Sequence, residues 1–325
     1  MTAARILRIP VQLVVSGGLL YLVFRRVDLR RSFSSIESAD PFWLLAGIVV
    51  LFAVLLLKAF RLRYILWRVK RIPVLTLFSC SIIGSMFNAS LPAKSGSLAF
   101  AYWLGKKNAV SKSTSLAAIL LPQIIDAAVL VFLTLILVYF VLPEAGAFRA
   151  MFWTAGVSVL LIIGCLAGLA GQRERVREWI QSVIGRWFPK GSGILTSHID
   201  HFAEGLDIIK KKGRLVNLIF MSAPVIICYL LRIQFILFGM GISVGFSAVV
   251  VIWVFANIGT LAPSIVGNIG PYEFMVVIAL RLFGVKEDAA LAAALVLHFL
   301  ILAPVMLAGL ANLWREKNLT PKPVV

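Results

Sequence analysis

Residues 88–107 read NASLPAKSGSLAFAYWLGKK, and this stretch decides how the whole chain is read. It sets Asn88, Pro92, Lys94, Gly96 and three serines (Ser90, Ser95, Ser97) between apolar runs. Proline removes a backbone donor and clashes with the preceding turn, and glycine is a poor helix former, so a helix entering here breaks. In a water-soluble chain such a break would be a surface loop. Here the flanking sequence is close to hydrocarbon, so the break falls at membrane depth.

The composition supports that reading. The chain of 325 residues is 61% hydrophobic and 14% charged, with a mean hydropathy of +0.97. Apolar runs at 6–24, 41–60, 115–141, 151–171, 215–238 and 289–313 each come near the roughly 20 residues a helix needs to cross the hydrocarbon. Regions 72–104 and 246–283 are also apolar but are interrupted by Pro and Gly. The expected fold is therefore all-α and polytopic, with six full spans and two broken hairpins, each either re-entrant or a pair of spans. A single domain covers 1–325.

A net charge of +18 would suggest a nucleic-acid partner in a soluble protein. Here the basic residues lie between the apolar runs, as topology determinants and contacts for anionic lipid, and no nucleic acid is implied. With both termini on one side, that side collects 23 of the 32 Lys and Arg and the other side 6. The excess assigns both termini to the cytoplasm and the chain to the inner, cytoplasmic membrane. Residues 172–214 then form a cytoplasmic insert in which Trp179, Ile180, Val183 and Trp187 alternate with arginines as in an interfacial amphipathic helix. His198 and His201 in that insert lack a third ligand and are read as a solvated face rather than a metal site. Cys80, Cys165 and Cys228 each stand alone as small core residues.

The second broken region contains GTLAPSIVGNIGPYEF, residues 259–274. Both breaks place a Pro four residues before a Gly, Pro92 with Gly96 and Pro263 with Gly267. Each is followed by an apolar arm, a further Gly (Gly105, Gly284), a polar turn, and an Ala/Leu-rich span carrying one ionisable residue. This is the pattern of an internal repeat. Three spans separate the halves, so the repeat is expected to be inverted. Unwound backbone cannot face lipid and has to line an enclosed cavity. Half-helices starting there aim N–H groups and positive dipole ends into it, which suits an anionic headgroup. The expected headgroup contacts are Asn88, Ser90, Lys94, Ser95 and Gly96 from the first break, and Gly267, Asn268 and Gly270 from the second.

Ionisable residues inside spans are rare and usually functional. Asp126, Glu273 and His298 fall near mid-depth and are candidates for an intramembrane charge or proton relay. Lys94 and Glu273 are expected to share one cavity. Arg232 and Arg281 lie toward the outer ends of their helices. There they either snorkel, the favoured reading, or hold an outer-leaflet phosphate.

These residues also carry a family resemblance. Asn88, Pro92, Lys94, Gly96, Asp126, Gly267, Gly270 and Glu273 match the pattern of the lysylphosphatidylglycerol synthase transmembrane-region family, a flippase-like module. The chain departs from that pattern at Ser97, where the family has Glu, and at Phe100, Gln123 and His298, where it has Arg. The resemblance implies a protein that handles membrane lipid. The expected function is translocation of a phospholipid or lipid-linked intermediate. No P-loop or other cofactor motif is present in the sequence, so no cofactor is expected and ATP is not the direct driving force. The alternative is a non-transporting accessory protein that binds such an intermediate for a lipid or glycolipid biosynthetic enzyme. The chain shows no Ser/His/Asp order and no metal cluster, so it is not expected to be an enzyme. A homo-oligomer is compatible with the sequence.

Overall fold

The computed structural model describes residues 16–21, 34–67, 69–90, 96–108, 110–140, 157, 212–260, 262 and 266–319, and the description below is of these. The first long helix, α1 (Pro41–Leu66), begins where Asp40 precedes Pro41. Proline suits the first helical position, and the Phe42 N–H donates to Asp40 Oδ1 at 2.9 Å, so the Asp caps the first turn. Two helices follow, α2 (Val74–Ser90) and α3 (Gly96–Asn108), and then the long α4 (Lys112–Phe140). Ser111 caps α4 by accepting from the Thr114 N–H at 3.1 Å. After the insert come α5 (Lys212–Gly239), α6 (Phe246–Gly259), a single 3₁₀ turn (Val266–Asn268), α7 (Pro271–Leu282) and α8 (Glu287–Leu319).

Four stretches are long and apolar enough to cross a membrane: Pro41–Leu66, Lys112–Ile136, Val216–Gly239 and Glu287–Arg315. They coincide with four of the six spans read from the sequence. The runs at 6–24 and 151–171 lie outside the described residues apart from 16–21 and 157, as does the amphipathic helix within 172–214. Each interrupted region holds two separate helices, Val74–Ser90 with Gly96–Asn108 and Phe246–Gly259 with Pro271–Leu282. The resulting helices have 17 and 13 residues in the first region and 14 and 12 in the second. Each then leads into a long helix, so the order short, short, long occurs twice along the chain. Large apolar side chains such as Phe42, Leu75, Phe132, Phe220, Phe299 and Leu307 are exposed, as lipid-facing side chains are.

Backbone packing sorts the chain into two compact units, neither a continuous stretch. Unit 1 comprises Met1–Leu55, Ser81–Gly96 and Ile226–Val325, and unit 2 comprises Leu56–Cys80 and Ser97–Val225. In unit 1, α1 and α5 pack tightly because small residues meet large ones: a Cβ at Gly47 would come 2.8 Å from Ile236, and one at Gly239 2.9 Å from Leu44. Trp43 gathers Phe42, Phe235 and Phe238 at that end of the helices, with ring centroids 5.3–5.4 Å apart. Such aromatic belts mark a membrane interface. In unit 2, Leu62, Leu66, Leu77, Phe100, Leu104 and Leu218 belong to one buried apolar cluster.

Candidate functional site

The site in unit 1 starts from the second break. Gly267, Asn268 and Gly270 have φ of 78°, 59° and 100°, a left-handed backbone that glycine adopts freely and asparagine tolerates better than most residues. Three positive-φ residues in four end any helix and turn the chain into Pro271, the first residue of α7. At Gly270 space is also lacking, since a Cβ would come 2.7 Å from the Ser16 carbonyl oxygen. We predict that Gly270→Ala destabilises the protein by about 1–3 kcal/mol, from backbone strain alone or with the clash. The check is a lower thermal unfolding midpoint in detergent beside a tolerated Gly213→Ala control, where a Cβ meets nothing within 4 Å.

Glu273 is in the first turn of α7 and is buried with His298 of α8, their side chains 4% and 7% exposed. Its Oε2 accepts from the Gly270 N–H at 2.7 Å, which caps the helix. Its Oε1 lies 2.5 Å from His298 Nδ1. One proton occupies that contact, carried by the imidazole or by the carboxyl group. Tyr272 stacks on the imidazole with ring centroids 4.2 Å apart and helps fix its plane. Both carboxyl oxygens of Glu273 are therefore engaged. The expected partner Lys94, with Ser95, lies outside the described residues, and the partner present is His298.

The first break contributes to the same unit. A Cβ at Gly96 would run into the backbone of Asn88, so the chain can close across the break only with glycine there. Ser90 Oγ donates back to the Met86 carbonyl at 2.8 Å, with Met306 Sδ at 3.2 Å. A Cβ at Gly267 would stand 3.8 Å from the Ala89 carbonyl oxygen, so the end of α2 and the VGN turn are neighbours in unit 1.

Asp126 belongs to unit 2, and its partner there is a residue the sequence reading missed. Arg61 donates to Oδ1 at 2.6 Å and to Oδ2 at 2.8 Å, and also to Ser222 Oγ at 2.8 Å. In the sequence it follows the apolar run 41–60 and so counts among the charges between runs. Helix α1 continues to Leu66, and the Arg61 side chain is 3% exposed. Removing one charge from the cytoplasmic sum leaves the orientation unchanged. The two arginines toward the outer ends of their helices part company. Arg281 is exposed and paired with Glu287 at 3.0 Å, whereas Arg232 is buried, so it does not snorkel.

A chain with several membrane-length helices, two Pro- and Gly-interrupted helical regions and buried ionisable pairs is a multi-pass membrane protein. More narrowly, it belongs to the lysylphosphatidylglycerol synthase TM region family, whose model matches residues 9–309. The family ties the chain to the biosynthesis or translocation of membrane lipid. Comparison with curated proteins finds none that matches.

Proposed function

We propose that this protein is a lipid translocase of the cytoplasmic membrane, moving a phospholipid or lipid-linked intermediate without ATP and without altering it chemically. The observation that carries the reading is the Glu273–His298 pair. Two ionisable side chains are buried against a turn of left-handed backbone in a chain of membrane-crossing helices. Burying them is costly, and an apolar pair would pack there at lower cost, so their presence favours a moving charge or proton. The broken ends at Asn88–Gly96 and Gly267–Gly270 supply backbone groups for a headgroup while its tails stay in the bilayer. The test is reconstitution of the purified protein into liposomes with a fluorescent phospholipid. Dithionite should quench more than the outer-leaflet half, and a Glu273→Gln variant should remain near half. Equal quenching in empty and protein-bearing vesicles would remove the reading.

The inverted repeat belongs to the same proposal. With the native cysteines replaced, Lys107→Cys and Lys286→Cys stand at exposed positions, the first in the last turn of its short arm and the second just after its own. Under inversion, an impermeant maleimide on intact cells labels the second and leaves the first. Labelling of both would make the repeat parallel.

One observation favours the accessory-protein reading. Asp126, a relay candidate, is held by both of its oxygens in an ion pair with Arg61 within unit 2. A protein that only bound a lipid intermediate for a partner enzyme would not quench in liposomes by itself. It would co-purify with that enzyme.

A further inference from the structure

Unit 1 holds one more buried charge, which neither the Glu273–His298 pair nor the breaks account for. Arg232 lies on α5, 6% exposed, and its Nε is buried without a hydrogen-bond partner. Among the described residues its guanidinium makes no ion pair and no hydrogen bond. Its neighbour is the ring of Tyr229, with the guanidinium carbon 5.8 Å from the centroid. A cation–π contact extends to about 6 Å and offsets only part of what burying an unpaired ion costs. At 1.5 Å per residue, Arg232 sits about 10 Å inward of the Gly239 end of α5, where the Trp43 aromatic cluster lies. The charge is thus buried and, among the described residues, unbalanced.

What would balance it is an anion, and a guanidinium selects for planar or tetrahedral oxyanions through paired N–H donors. We propose that Arg232, buried beside the Tyr229 ring with no counter-ion among the described residues, is an oxyanion site that takes a phosphate group. Two sources share that chemistry, the phosphodiester of a lipid headgroup and free inorganic phosphate. The site deepens the translocase reading and rests on it only for the lipid source.

The test uses the full-length protein in maltoside detergent and reads the thermal unfolding midpoint. The probes are short-chain phosphatidylglycerol, diacylglycerol with the same tails, and inorganic phosphate. Phosphatidylglycerol is expected to raise the midpoint of the wild type by several degrees, and diacylglycerol is not. Loss of one charge-assisted contact lowers affinity by about ten- to a hundredfold, so Arg232→Lys should need correspondingly more probe and Arg232→Met should not respond. The exposed Arg281→Gln should respond like wild type. A shift with inorganic phosphate as well makes the ligand the free oxyanion, and a shift with the lipid alone makes it a headgroup. Both outcomes support the site. Unresponsive wild type, or a response that persists in Arg232→Met, overturns it. If Arg232→Met does not fold, the Arg232→Lys titration decides, and an unchanged midpoint curve there overturns the site equally. Lipid crossing is scored separately in liposomes. An Arg232-dependent shift without crossing keeps the site and removes the translocase, and crossing without such a shift does the reverse.

Discussion

Arg61→Met should cost the protein most of its folded fraction in detergent, with a destabilisation of about 3–5 kcal/mol, the usual consequence of leaving one member of a buried ion pair without its partner. The substitution orphans three acceptor contacts at once: both oxygens of Asp126 and the hydroxyl of Ser222. Asp126 has a little access, at 19% exposure, so part of the cost is relieved by water or protonation. The magnitude discriminates between causes. Hydrogen bonds between membrane helices average only about 0.6 kcal/mol in double-mutant cycles, because the inserted but unpacked chain also finds partners. A loss above about 2 kcal/mol therefore marks the orphaned charge. The double variant Arg61→Met, Asp126→Leu removes both charges and should recover most of the stability. Because Asp126 is satisfied within its pair, that variant should also keep its lipid crossing. A stable but inactive double variant would return Asp126 to the relay.

Why this pair was not legible in the sequence is a matter of distance and company. Arg61 and Asp126 are 65 residues apart, and no local rule links them. Arg61 also stands among Lys58, Arg63, Arg68, Lys70 and Arg71, where one buried charge hides among interfacial ones. A signal was present: Val54 and Ile65, seven residues before and four after, are apolar and buried, so Arg61 continues a buried helical stripe. The breaks could be read because Pro and Gly act on their own backbone, whatever the rest of the chain does. The same holds for the Asp40–Pro41 helix start. Burial could be expected for Glu273 and His298 from their place within apolar segments. Their pairing could not, because rotation about the helix axis is set by packing. Arg232 was misread for the complementary reason. Nearness to a helix end suggests snorkelling, but only the surrounding helices decide whether the side chain can reach out.

The Glu273–His298 contact offers the most decisive separation of structure from function. Glu273→Ala removes the cap on Gly270 N–H and the partner of His298 together. Unsatisfied buried groups cost about 1–3 kcal/mol each, so a total of about 3 kcal/mol is expected. His298→Ala removes only the second contact and should cost less. In the double variant the cap is lost whatever stands at 298, so that part adds. Only the Glu–His contact appears as coupling, expected within the usual range of about 0.5–3 kcal/mol for touching residues. Stability alone cannot tell a relay from a strut, so the activity arm uses variants that keep the contact. His298→Arg installs the cation that the family pattern has at this position and can hold Glu273 as an ion pair, but an arginine does not release its proton. His298→Gln keeps a hydrogen-bonding group and cannot be charged. If a proton moves between Glu273 and His298 during translocation, both variants fold and both stop lipid crossing. Should either one carry lipid at the wild-type rate, the pair is a structural link across α7 and α8, and the driving step has to be sought among the other ionisable groups of the protein.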